Sequence, residues 1–204
     1  MPKDLLKGFD RFRNRVYRDQ PELMAQLLED GQDPDYFIIS CIDSRANPGT
    51  IFDPKPGTFF AHKAMGAIVR PYQQGTALAA ALQFALHYQN VKKIIVMGHT
   101  HCGAVNALIN NIDDDEIASF INVAKEGVTH AREICTHGET DLEFHRVAEQ
   151  QIVLESIQNL KKYPSVAKAS AEREIEIKGW LFDMEAGAIL EYNDQTDTFE
   201  KANA

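Results

Sequence analysis

The chain has 204 residues, a formal net charge of −9, and a composition that is 44% hydrophobic and 25% charged. That balance excludes an extended disordered chain, and the acidic charge argues against nucleic acid or an anionic membrane as a partner, because both require a basic face. The length suits one sizeable core, so a single domain over 1–204 is expected.

No apolar run approaches the ~20 residues that cross a bilayer. The opening "MPKDLLKGFDRF" lacks the apolar stretch of a signal peptide. A cytoplasmic protein is therefore expected. Cys41, Cys102 and Cys135 are odd in number and widely spaced, which in a reducing compartment points to metal or catalysis rather than to bridges.

Residues 2–30 read as helical, with Leu5, Leu6, Phe9, Phe12 and Val16 recurring at steps of three and four. The basic stretch 7–18 fits the solvated face of that amphipathic helix, and Gly31 with Pro34 ends it. "YFIIS" (36–40), "TFFAH" (58–62) and "KIIVMG" (93–98) are short continuous apolar runs of the buried parallel-strand type. Residues 75–89, 115–134 and 141–162 read as helices, and the acidic 112–116 as a loop leading into one of them. "EIEIKGW" (174–180) alternates as a half-buried strand, and 188–193 is expected to be the last, edge strand. The alternation predicts an α/β domain with a mostly parallel central sheet flanked by helices, preceded by an N-terminal helical arm over 1–30.

In such a sheet, ligands gather beyond the carboxyl ends of the strands. Cys41 ends the first strand; His99 and Cys102 follow the third. Two thiolates and an imidazole make a good set for Zn²⁺, and three protein donors leave a fourth position open, the catalytic pattern. Taken alone, a buried Cys is often a small apolar residue and H-x-x-C is weak; the conjunction with C-x-D-x-R at a second strand end is specific. Asp43 and Arg45 alternate on an extended segment, so they share a side and can form a bidentate pair that keeps the carboxylate ionised beside the metal. The plainer alternative is a surface ion pair of little worth.

"CIDSR" and "GHTHCGAV" resemble the C-x-D-x-R and G-H-x-x-C-G motifs of the β-class carbonic anhydrases, and "PGTFFAHKA" and the Gly179–Trp180 region resemble further segments of that family. The resemblance implies zinc on Cys41, His99 and Cys102, with Asp43–Arg45 as a dyad gating the fourth position, and Asp43 as a fourth ligand in a closed state. It implies reversible hydration of CO₂ to bicarbonate and a proton by zinc-bound hydroxide. The plant-type pocket carries over to Gln32, Phe60 and Gly103. Met65 stands where Val is usual and Phe84 where Tyr is usual.

The positions of a noncatalytic bicarbonate site found in some members are Ile38, Lys63 and Phe182. None has the required side chain, so that site is expected to be absent. The resemblance also implies a homodimer or a dimer of dimers, with the arm packed on the neighbour and the counterpart of Phe84 reaching the site from the partner subunit. His101 and His62 are candidates for proton export, against the plainer reading of ordinary histidines; Cys135 reads as incidental. Two other functions stay open at this level: hydrolysis of carbonyl sulfide or carbon disulfide on the same site, and a non-enzymatic zinc-binding module.

Overall fold

The computed structural model describes residues 2–136 and 138–202. Its centre is a six-stranded sheet in the order β2-β1-β3-β4-β5-β6. Strands β1 (Tyr36–Cys41), β2 (Phe59–Ala64), β3 (Lys93–His99) and β4 (Glu176–Asp183) are parallel. Strands β1 and β3 are buried on both faces, as their continuous apolar runs require, whereas β2 at the edge and β4 are only partly buried. Strands β5 (Ala188–Asn193) and β6 (Thr198–Lys201) extend the sheet antiparallel.

The order of the strands decides where a ligand can sit. From β1 the chain passes to β2 on one side, then crosses over to place β3 on the other side of β1. The carboxyl ends of β1 and β3 are thus a topological switch point, where the departing loops diverge and leave a crevice. Ser40 pairs with Met97, so Cys41 and His99 emerge side by side at that crevice.

Helices α4 (Ala77–His87) and α8 (Leu142–Lys161) cover one face of the sheet. Phe37, Ile39, Leu82, Ile94, Val96, Val153 and Leu160 fill the space between. The long helix approaches the sheet very closely. A Cβ added at Gly98 would lie 2.6 Å from Val153 Cγ2, and one at Gly179 would lie 2.9 Å from Ile157 Cδ1. The same helix also fixes the chain after β2: Ser156 Oγ accepts the Val69 N–H at 3.1 Å and Asn159 Nδ2 donates to the Val69 carbonyl at 3.0 Å.

Several elements differ from the sequence expectation. The segment 2–30 is not one helix: α1 (Lys3–Arg13) runs into a wide π turn at Asn14–Arg18, and α2 (Pro21–Glu29) restarts after Asp19 and Gln20. Pro21 lacks the N–H needed to continue a helix but suits the first position of a new one. The segment 115–134 divides into α6 (Asp115–Ile121) and α7 (Lys125–Ile134), joined by a tight turn at Asn122–Ala124.

The edge position also moves. β5 is covered by β6, with Leu190 opposite Lys201 and Tyr192 opposite Phe199; the last four-residue strand has too little pattern to read. The short helices α3 (Pro48–Ile51), α5 (Gly103–Ile109) and α9 (Pro164–Glu172) were not anticipated. Pro164, two residues beyond the expected helix 141–162, opens the next helix. Helix α1 buries none of its residues, and Leu5, Phe9 and Leu28 are 72%, 53% and 79% exposed. Among the described residues, no helix is long and apolar enough to cross a membrane.

Candidate metal centre

Cys41 Sγ, Cys102 Sγ and a ring nitrogen of His99 converge at the crevice, all within 4.8 Å of one another. The three side chains arrive by different routes. Cys41 is the last residue of β1 and His99 the last of β3. Cys102 is the residue that caps α5, after a turn in which His101 adopts the left-handed conformation at φ 57°. That turn reverses the chain within three residues and returns Cys102 to the side of His99.

The donor set fits a zinc ion. The Thr100 carbonyl accepts a hydrogen bond from His99 Nδ1 at 2.9 Å, which fixes the tautomer and leaves the Nε2 lone pair free. His99 is 1% exposed, and its Nε2 is buried without a hydrogen-bond partner; a buried nitrogen in that state is costly unless something else takes its lone pair. The thiols point the same way. A hydrogen bond from the Cys102 thiol, more than any other contact, pulls the Cys41 thiol down to about 4, against the effect of burial. The same hydrogen bond, with burial, pushes the Cys102 thiol far up. The first proton leaves easily and the second is held between the sulfurs, an arrangement that a divalent cation resolves by replacing the shared proton.

Asp43 lies against this cluster, its Oδ2 3.9 Å from His99 Nε2 and its own N–H directed at Cys41 Sγ at 3.4 Å. Arg45 grips it at three points: the backbone N–H donates to Oδ1 at 2.8 Å, Nε to Oδ1 at 3.0 Å and Nη2 to Oδ2 at 2.8 Å. The guanidinium holds the Asp43 carboxyl well below the usual carboxylate range. Arg45 Nη2 also donates to the His101 carbonyl at 3.3 Å, tying the β1 loop to the β3 loop.

The remaining residues named from sequence fall into two groups. Met65, directly after β2, packs against the buried cluster that includes Cys41, Ile68 and Cys102, and Gly103 opens α5 next to Cys102 with free space around its α-carbon. His101 is exposed, with Nε2 3.1 Å from Glu185 Oε1. His62 lines a cleft of about 500 Å³ with Lys63, Met65 and Arg70, and burial lowers its pKa. Lys63 Nζ donates to the Ala46 carbonyl at 3.4 Å, and Ile38 is buried within the sheet.

Gln32, Phe60 and Phe84 are not brought to the crevice. Phe60 pairs with Phe37 while Cys41 pairs with Ala64, so Phe60 lies four residues, roughly 13 Å, back along the strand. Its ring meets Phe84 at 5.9 Å, and Phe84 stacks on Tyr88 at 6.1 Å, with Phe84 and Tyr88 45% and 71% exposed. Gln32 is exposed at the same, amino end of the sheet, before β1 begins.

One residue of the site escaped the sequence reading. Glu149, on α8, is 3% exposed, and its Oε1 accepts the Cys102 N–H at 2.8 Å. Burial raises its pKa to about 7. The sequence does carry a signal: Glu149 sits on the helix stripe of Ile152, Val153 and Ser156, where an apolar side chain is the rule.

Comparison with known proteins agrees with this geometry. The family model described as carbonic anhydrase matches residues 36–189. Carbonic anhydrase of Synechococcus elongatus is 27% identical over 194 residues, covering 93% of this chain and 71% of that protein. Carbonic anhydrase of Synechocystis sp. is 28% identical over 193 residues, covering 93% and 70%. The solved structure of the β-carbonic anhydrase CcaA superposes with a TM-score of 0.84 at 26% identity, over 99% of this chain and 92% of that one. One described among two tetrameric β-carbonic anhydrases of Sordaria macrospora gives 0.81 at 25% identity, covering 93% and 95%. A switch-point crevice holding two cysteines and a histidine, a family match over most of the sheet, and neighbours of one kind lead to one assignment: the chain belongs to the carbonic anhydrase family, in its β class, and is a lyase of the type that hydrates CO₂.

Proposed function

We propose that the protein is a zinc-dependent carbonic anhydrase that interconverts CO₂ and bicarbonate at the Cys41–His99–Cys102 crevice, and that each working site draws on two subunits. The observation that carries the reading is the cluster itself: three buried donors within 4.8 Å, with an unpartnered His99 Nε2 among them. Three donors leave room for a further ligand, whereas a structural zinc site is closed by four. When bound, zinc supplies a Lewis acid that makes water a nucleophile near neutral pH.

The chain's own residues do the rest. Asp43, ionised and held from three directions by Arg45, can only accept hydrogen bonds. It would therefore orient an O–H donor beside the donor cluster, and in a closed state it would itself be the fourth ligand. Gly103 presents a backbone N–H for a bicarbonate oxygen, and Met65 offers apolar wall to a nonpolar gas. His101 and His62 are candidate proton carriers to bulk buffer. Gln32, Phe60 and Phe84 complete the pocket from a second copy of the chain, which accounts for their distance from the crevice within one subunit. The exposed apolar face of α1 packs on that copy. The protein so described is cytoplasmic.

Stopped-flow hydration of CO₂, run beside sulfide release from carbonyl sulfide, tests the substrate. The expected result is CO₂ hydration that Asp43→Ala lowers by at least about tenfold with zinc content unchanged, a loss of the size one oriented hydrogen-bonding group supplies. Sulfide release without CO₂ hydration would reassign the substrate, and an unaffected Asp43→Ala would remove the gating role.

A further inference from the structure

We propose that Glu149 is a positioning residue for the metal centre: its carboxylate holds the Cys102 amide, and so aims the Cys102 sulfur. This rests on the reading of Cys41, His99 and Cys102 as a metal site.

The turn from His99 to Cys102 is not a shape the chain adopts by itself. His101 sits at φ 57°, a conformation that non-glycine residues rarely take. The turn is tied down from outside at each residue. The Thr100 N–H donates to the Phe182 carbonyl at 3.0 Å, and Thr100 Oγ1 accepts the Met184 N–H at 2.9 Å. The His101 carbonyl accepts from Arg45. The tether at Cys102 itself is Glu149 Oε1, at 2.8 Å. With its N–H committed to Glu149, the Cys102 backbone is fixed at the point where α5 begins and from which the sulfur projects. The direction of the amide and the direction of the sulfur are therefore set together.

The chemistry of the position argues that Glu149 is there for the turn rather than for the fold. Its neighbours on α8 are Ala148, Ile152 and Val153, all at most 1% exposed. Its second oxygen, Oε2, is buried without a hydrogen-bond partner. A buried carboxylate with an unpartnered oxygen is an unfavourable thing to fold around, and an apolar side chain would fit that stripe. What an apolar residue does not provide is an acceptor for the Cys102 N–H.

The test compares three variants in the full chain. Glu149→Gln keeps an acceptor oxygen and the side-chain length. Glu149→Met keeps volume without an acceptor, and Glu149→Asp keeps the charge on a stem one methylene short. Zinc affinity is measured by competition with a chromophoric chelator, and the cobalt(II)-substituted protein reports thiolate geometry through its charge-transfer bands. Glu149→Met and Glu149→Asp are expected to bind zinc roughly 10–100-fold more weakly, the usual cost of losing an outer-shell partner, with altered cobalt bands. Glu149→Gln is expected to stay within about threefold of the parent, with parent-like bands, and its metal-free form to melt no lower than the parent's.

If Glu149→Asp and every folded form of Glu149→Met match the parent in affinity and bands, the positioning role is wrong. It is equally wrong if Glu149→Gln fails as badly as Glu149→Met, because the acceptor is then not what matters. A parent protein that takes up no zinc overturns the metal-centre reading and this inference with it. Normal zinc uptake by the parent, with parent-like affinity and bands in both Glu149→Asp and folded Glu149→Met, overturns this inference alone.

Discussion

Gly98 lies one residue before His99, at the point where the long helix α8 comes nearest the sheet, and Gly98→Ala probes that contact. The added methyl would stand 2.6 Å from Val153 Cγ2 and 3.3 Å from Leu181 Cδ1. Carbon atoms in van der Waals contact prefer about 3.5–4.0 Å, so helix and strand must separate by about 1 Å or Val153 must leave its rotamer. Overpacking of this kind costs about 1–3 kcal/mol, against which a glycine-to-alanine change returns about 0.4–1 kcal/mol through the unfolded chain.

The expected net loss is about 1–2 kcal/mol, read by urea unfolding of the metal-free protein at fixed pH. Val153→Ala alone removes two buried methyl groups and costs about 2 kcal/mol. In the double variant the two changes offset each other, because the new methyl fills the space the old ones leave. Their combined cost should fall short of the sum by about 1 kcal/mol or more. A Gly98→Ala protein within about 0.5 kcal/mol of the parent, or strictly additive single changes, would refute the close approach of α8 behind the metal-bearing strand.

Two further outcomes concern the titrating groups of the metal-free chain. Arg45→Ala removes the contact that most lowers the Asp43 pKa, so a ¹³C carboxyl titration should show Asp43 moving up toward the ordinary value near 3.9. The sign for stability follows: a depressed carboxylate contributes stability above its unfolded pKa that is lost as pH falls through its folded value, so the parent should lose this contribution only at strongly acid pH and Arg45→Ala should not have it at all. Thiolate absorbance near 240 nm should show one thiolate per chain in the parent by pH 6, since Cys41 is drawn to about 4. Cys102→Ala removes the largest cause of that shift and should move the transition upward; an unmoved transition would contradict the shared proton.

Strands β1 and β3 were legible because burial on both faces forces continuous apolar runs; the order of the strands, and with it the switch point, is written in no single run. The metal cluster was legible because each of its donors ends or follows one of those runs. Less visible were features fixed by contacts between distant segments. Four residues of β6 are held by pairing to β5 rather than by a pattern of their own. The break at Pro21 was in the sequence, but the recurrence of Leu5, Leu6, Phe9, Phe12 and Val16 concealed it. Glu149 required knowing that its helix stripe faces the turn at Cys102. The placement of Gln32, Phe60 and Phe84 required the register of β1 on β2, which no single segment encodes.

That last placement bears on what the working unit is. Gln32, Phe60 and Phe84 gather at the amino end of the sheet while Cys41, Asp43, His99 and Cys102 gather at the carboxyl end, and a rigid parallel sheet separates them. If both groups serve one reaction, they belong to different copies of the chain. Mixed dimers give a direct measure. Cys102→Ala disables the metal half, and the double change Gln32→Ala/Phe60→Ala weakens the pocket half. Co-refolded in equal amounts, the two should form hybrids in which one of the two sites pairs an intact metal half with an intact pocket half. With random pairing, half of the dimers are hybrids, and activity should recover to about a quarter of the parent's by the symmetry of a two-fold interface. Recovery no greater than the average of the two separate variants would place both halves within one subunit, and a fully active monomer by light scattering would do the same.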